Sequence, residues 1–270
     1  MSKIDTHIHG NYSLDSDNDY FKLCRKAVDE GYSVIAFTEH YDLLDSELVH
    51  WGLPPLQKYI TSLNTVRKSF PELTIVTGIE LGEPHRVMDF ASRLLNSIQC
   101  EKDNASLQYI IGSLHVTRSG LNVSLPLNKI LTENDIREYY EENLEMVQLG
   151  GFDTLGHLGI FKRGLNNEQY IDESHIYPII DEIFREMIKK DICLEVNNSG
   201  FKSNHNDTIP DFKTLKRYMN AGGELITVSS DSHDFKHFNR FYNKTLDNLR
   251  EIGFRDIYWK IDGTYSKINI

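Results

Sequence analysis

Seven short β-rich runs alternate with longer helical patterns, and this alternation directs the chain towards a parallel α/β architecture. The runs are Ile4–His9, Val34–His40, Leu73–Leu81, Tyr109–Val116, Thr154–Leu158, Cys193–Asn197 and Leu225–Ser229, with a further strand predicted over Ile257–Ile261. Tyr20, Leu23, Cys24, Ala27 and Val28 follow helical spacing and end at Gly31. A second helix starts at Pro54-Pro55 and runs through Val66. Others are predicted over Val87–Ile98, Asn134–Leu149, Ile176–Lys190, Phe212–Ala221 and Asn243–Ile252. No Pro/Ser/Gly-rich linker, charge block or low-complexity tract interrupts the series. The 270 residues therefore read as one domain, near the ~250 residues common for a single α/β barrel. The expected fold is a closed (βα) barrel slightly short of eight units, with an open doubly wound sheet as the other reading. Gly150-Gly151 lacks the spacing of a phosphate-binding glycine loop.

Composition excludes several classes of function. Forty per cent apolar and 26% charged residues support a packed core. The balance of 29 basic against 40 acidic residues, 29 − 40 = −11, disfavours non-specific nucleic-acid binding. No run reaches the ~18 apolar residues of a membrane helix. The opening MSKIDTHIHG lacks the apolar core of a secretory signal. Three separated cysteines, Cys24, Cys100 and Cys193, suit a reducing compartment better than a disulfide scaffold. A cytoplasmic protein that binds neither membrane nor nucleic acid is expected.

In parallel α/β folds, functional groups collect at the carboxyl ends of the strands. The first run ends Asp5-Thr6-His7-Ile8-His9, which puts Asp5, His7 and His9 on one strand face. Two such imidazoles can grip one ion while Asp5 orients a ligand from behind. Later runs end in Thr38-Glu39-His40, Gly78-Ile79-Glu80, Gly112-Ser113-Leu114-His115, Gly156-His157 and Ser229-Ser230-Asp231-Ser232-His233. Six of eleven histidines, with Glu80 and Asp231, thus fall at strand ends. Any one of them alone would read as a buried, hydrogen-bonded histidine. Together they read as a metal centre. His50, His175, His205 and His237 lie elsewhere and read as structural.

Imidazole and carboxylate donors without cysteine point to Zn, Mn or Fe, and more than four candidate ligands imply more than one ion. A carboxylate such as Glu80 can bridge ions about 3.5–4 Å apart, and a water between them loses a proton near neutral pH. That hydroxide can attack a phosphoester with no covalent enzyme intermediate.

The motifs occur in the order found in the polymerase and histidinol phosphatase (PHP) family, and the chain resembles that family over nearly its whole length. It is most similar to the monofunctional histidinol-phosphate phosphatases, through Glu39-His40-Tyr41-Asp42, Gly112-Ser113-Leu114-His115-Val116, Gly156-His157-Leu158 and the following Lys162-Arg163. The resemblance implies a distorted (βα)7 barrel with three divalent ions. By motif, His7, His9, Glu80 and Asp231 would hold the first. Glu80, His115 and His157 would hold the second, with Glu80 bridging. His40, His233 and Asp15 would hold the third. Many relatives have His where this chain has Asp15, and an oxygen donor shifts preference towards Mn or Fe.

The resemblance further implies a metal-dependent phosphatase of histidine biosynthesis, converting L-histidinol phosphate into L-histidinol and phosphate. Arg163 and Arg118 are candidates for a forked contact with phosphate. Glu83 and Asn197 are candidates for reading the substrate's amine and imidazole. Arg163 would stabilise the equatorial oxygens, and Asp231 or His233 would assist the leaving group. The alternatives are a PHP phosphoesterase acting on nucleotides or nucleic-acid ends, an amidohydrolase-type hydrolase and a metal-binding regulator. The amidohydrolases also begin with His-x-His, but usually bridge their ions with a strand-four lysine. Here the fourth run ends in His115 and the bridging candidate is Glu80.

Overall fold

A computed structural model describes residues 2–44, 53–89, 92, 107–165 and 171–270. Seven strands form one parallel sheet in sequence order: β1 (Lys3–Ile8), β2 (Tyr32–Tyr41), β3 (Thr74–Gly82), β4 (Tyr109–Ser113), β5 (Thr154–Leu155), β6 (Cys193–Asn197) and β7 (Ile226–Ser229). Just past β7 the chain returns to β1. Ile8 bridges Ser232 in the parallel sense, Asp231 N donates to His7 O at 3.0 Å, and His9 N donates to Ser232 O at 3.1 Å. The sheet is therefore a nearly closed seven-stranded barrel, and the doubly wound alternative falls away.

The helices between strands include α1 (Tyr20–Asp29), α2 (Leu53–Ser69), α3 (Glu133–Leu149), α4 (Tyr177–Lys189), α5 (Phe212–Asn220) and α6 (Tyr242–Ile252). Local chemistry starts them where they start. The Asp19 side chain accepts from Lys22 N ahead of α1, and Thr132 with Asp135 forms a reciprocal capping box on α3. On α1 the buried residues Tyr20, Leu23, Cys24 and Ala27 recur at helical spacing and join the core. Residues 84–89 are helical. The rest of the helix expected over Val87–Ile98 lies, apart from residue 92, outside the described residues, as do His50 and Cys100.

The chain continues past the barrel into an antiparallel hairpin, β8 (Asp256–Ile261) and β9 (Thr264–Asn269). The sequence reading contained β8 but not β9. The signal was Asp262-Gly263, whose φ values of +48° and +77° suit a tight two-residue hairpin turn.

Buried Asp5 closes the seam between the first and last strands. Its Oδ1 accepts from His7 N at 3.3 Å and from Ser230 N at 3.0 Å. This corrects the expectation that Asp5 orients an imidazole: it holds the backbone beneath the imidazoles. Asp5→Ala would leave two buried N–H groups without that acceptor, so the melting temperature should fall by the equivalent of about 1–3 kcal/mol. Thermal melts of the two proteins at equal metal loading measure the difference.

Candidate metal centre

Parallel pairing delivers the expected ligands to one mouth of the barrel. His40 on β2 is in register with Glu80 on β3, and His40 Nδ1 lies 3.0 Å from Glu80 Oε2. His115 and His157 sit two residues beyond β4 and β5. The seam at β1 and β7 brings Asp231 to His7 and His9, with Asp231 Oδ1 at 3.9 Å and 3.5 Å from their Nε2 atoms.

Glu80 is the hub. Its Oε1 lies 3.1 Å from His115 Nε2 and 2.7 Å from His157 Nε2. Its Oε2 lies 3.3 Å from His7 Nε2 and 3.5 Å from His9 Nε2. The carboxylate thus divides between two imidazole groups, as a bridging ligand would. His40 and His233 face each other at 3.2 Å, with Asp15 Oδ2 3.5 Å and 3.3 Å from their Nε2 atoms. Every residue of the expected ligand set therefore reaches the cluster, Asp15 from its exposed edge.

The buried carboxylates and imidazoles shift one another's titration. Burial alone would raise Glu80, yet the surrounding imidazoles hold it well below the usual carboxylate range. Burial pulls His40 down, but Glu80, Asp15 and Asp42 lift it to about 10. His9 is pushed well below its ordinary value by burial and by neighbouring His233 and His40. Carboxylates and imidazoles are packed together in one buried cluster whose donor atoms lie close enough to hold divalent cations.

Two contacts show that the donors suit metal ions. His7 Nδ1 lies 2.6 Å from buried Glu195 Oε1, and His115 Nδ1 lies 3.0 Å from Asp42 Oδ1. A ring nitrogen that donates to a carboxylate leaves its Nε2 as a lone pair. His7 Nε2 then faces His9 Nε2 at 2.9 Å, and His115 Nε2 faces His157 Nε2 at 3.4 Å. Lone pairs converging in this way are the arrangement that holds divalent cations. Among the described residues, four groups of three such donors lie close enough for an ion: His7, His9, Glu80; Glu80, His115, His157; His9, His40, His233; and His40, Asp42, His115.

Glu195 and Asp42 were not singled out from sequence. Glu195 is a charged residue inside a fully buried strand, which was a usable signal. Asp42 follows His40 by two residues and is seated against Gly82, where a Cβ would lie 2.1 Å from Asp42 Oδ1. Only glycine permits that approach.

The basic candidates separate. Arg163 lies in a 3-10 turn (Ile160–Gly164), where Nη1 donates to Asp231 Oδ2 at 3.1 Å and Ser199 Oγ at 3.0 Å, and Nη2 donates to Ser124 O. It lines a cavity of about 250 Å³ together with Glu80, Asp231 and Lys202. Lys202 ends a 3-10 turn (Asn198–Lys202) five residues past β6, where strand-end patterning carries no signal. Burial lowers Lys202 from its ordinary value. Arg118 does not reach the site. The turn in which Thr117 N donates to Leu121 O carries it outward, and its guanidinium pairs with Glu145 on α3. Asn197 is buried, and its Oδ1 accepts from Ser199 N rather than facing the cavities described here. Glu83 lines a larger cavity of about 550 Å³ with Asp15, Asp42, His40 and His115, and its Oε1 accepts from His115 N and Val116 N.

The PHP domain profile matches residues 5–199. A histidinol-phosphatase of Lactococcus lactis is 29% identical over 95% of this chain and 94% of its own length. A probable histidinol-phosphatase of Thermotoga maritima is 23% identical, with 96% of each chain covered. Among solved structures, the L. lactis histidinol phosphate phosphatase complexed with zinc, L-histidinol and phosphate superposes with a TM-score of 0.81. It covers 98% of this chain and 100% of its own at 24% identity. The last match shows a shared fold.

Two outcomes test the cluster. Added divalent metal should raise the melting temperature, because the ligands converge only in the folded state. Glu195→Gln keeps the shape of the group behind His7 but removes its charge. Metal affinity should fall about 10–100-fold with the circular dichroism spectrum unchanged. Competition with a chromogenic chelator measures the loss.

Proposed function

We propose that this chain, which belongs to the PHP domain family, is a metal-dependent phosphatase that hydrolyses L-histidinol phosphate to L-histidinol and phosphate in histidine biosynthesis. The observation that carries the reading is Glu80, shared by five imidazoles at the edge of a cavity that also holds Arg163 and Lys202. The L. lactis histidinol-phosphatase, matched along nearly the whole chain, supports the choice of ester.

The cluster suits divalent cations. We assign three, drawn from Zn, Mn and Fe: one to His7, His9, Glu80 and Asp231, one to Glu80, His115 and His157, and one to His40, His233 and Asp15. Bound there, such ions supply charge neutralisation at a phosphoryl oxygen and an activated water. The chain's own residues do the rest. Arg163, its plane fixed by Asp231, Ser199 and Ser124, stabilises the equatorial phosphoryl oxygens. Lys202 adds a second positive charge from the same cavity wall. Asp231 has one oxygen towards the imidazoles and the other on Arg163. His233, the most exposed of the six imidazoles, lies at the rim with Asp15, so the ion they would hold is placed to stabilise the leaving oxygen.

The larger cavity supplies the other half of the substrate site. Asp42 presents a carboxylate suited to an ammonium or imidazolium, Glu83 lies buried in the same wall, and Leu14 and Leu44 add apolar surface. We place the reaction in the cytoplasm. Cys24 and Cys193 are free and buried, and no helix among the described residues is long and apolar enough to cross a membrane.

Metal-replete protein should release phosphate from L-histidinol phosphate and lose that activity when a chelator is added. A nucleoside monophosphate hydrolysed faster than histidinol phosphate would overturn the choice of substrate. Arg163→Ala should lower kcat/KM about 10²–10³-fold, the usual cost of losing one preorganised donor at a developing charge.

A further inference from the structure

Behind His7 and His115 stand carboxylates in direct contact, but His9 has none. Its Nδ1 lies 3.2 Å from the Ser13 hydroxyl. Ser13 is buried, and its Oγ donates to Glu39 Oε2 at 2.6 Å. The same oxygen accepts from His40 N at 3.0 Å. Glu39 is also buried, and its Oε1 accepts from Gly10 N at 2.8 Å and Tyr20 OH at 2.5 Å.

Counting protons settles the direction of this chain. Ser13 has one hydrogen. The short contact to a carboxylate takes it in preference to the longer contact with a neutral ring. The Ser13 oxygen can then only accept from His9, so the His9 proton sits on Nδ1. We propose that Ser13 and Glu39 form a positioning relay that fixes His9 in this tautomer, with its Nε2 lone pair aimed between His7, Glu80 and Asp231. Glu39 thus does for His9, through one hydroxyl, what Glu195 does directly for His7. The relay is built in with some care. A Cβ on Gly10 would lie 2.1 Å from the Tyr20 ring and 2.7 Å from Glu39 Oε1, so only glycine lets the Gly10 N–H reach that carboxylate. Asn18 Nδ2 donates to His9 O at 2.9 Å and holds the backbone on the other side.

The inference rests on reading His9 as a metal ligand, and its test does not depend on which ester the enzyme turns over. Glu39→Gln is informative because its orientation is dictated. Gly10 N–H and Tyr20 OH need an acceptor at the ε1 position, so the amide oxygen must face them and the NH2 must face Ser13. Ser13 then accepts from the amide and donates to His9 Nδ1, which moves the ring proton to Nε2. In ¹⁵N spectra of metal-free protein, His9 should carry its proton on Nδ1 in the wild type and on Nε2 in Glu39→Gln. Zn²⁺ titration against a chelator should show one ion bound 10–100-fold more weakly in Glu39→Gln. Ser13→Ala should weaken the same ion, and Ser13→Thr, which keeps the hydroxyl, should restore it. An Nδ1 proton in Glu39→Gln would overturn the relay. So would a Ser13→Thr protein that binds Zn²⁺ as weakly as Ser13→Ala, a comparison that holds even where Glu39→Gln does not fold.

Discussion

The Glu80 carboxylate is the constraint around which this molecule is arranged. It is buried at the mouth of a barrel, where an unbalanced negative charge costs several kcal/mol. Five imidazoles approach its two oxygens. Imidazoles alone are a poor answer, since each can be neutral and crowding them penalises their protonated forms. His9 is pushed below its ordinary value by burial and then by His233 and His40. Divalent cations held there would satisfy the carboxylates and relieve the imidazoles together. The same balance that stabilises the folded mouth therefore creates the electrophilic centre.

Barrel closure makes that balance possible. His7 and His9 are separated from Asp231 by more than two hundred residues of sequence, yet backbone bonds across the seam place them in contact. Asp5 takes part from below, tying His7 N and Ser230 N to one oxygen. Stability and chemistry share this seam. A loosened seam would misplace two ligands at once, and a displacement of ~1 Å at such a centre is enough to cost rate.

Much of this was legible in the sequence because it depends on local period. Strands place alternate residues on one face, so His7 and His9 read together, and the helices followed their apolar spacing. What escaped depends on partners that period does not specify. Glu195, Asp42 and Glu39 act by reaching partners far away in sequence, His7, His115 and Ser13, and periodicity does not specify those partners. Arg118 illustrates the opposite error. Its place three residues after His115 suggested the catalytic mouth, but a turn and the waiting carboxylate of Glu145 take it to the outer face. Distance along the chain stops predicting distance in space once a loop reverses direction.

The charge pattern around the cluster gives a reason for expecting an ester that is itself polarised. On one side stand Arg163 and Lys202, and on the other Asp42 and Glu83. A chain of net charge −11 has no general attraction for an anion, so on the proposed reading phosphate affinity is local, from Arg163, Lys202 and the ions the cluster would hold. On the same reading, Asp42 would work against a substrate carrying negative charge at both ends. A nucleotide would gain nothing there, whereas a small molecule with phosphate at one end and a cationic amine at the other meets a complementary group at each. Selectivity of this kind rests as much on what the acidic wall repels as on what it holds.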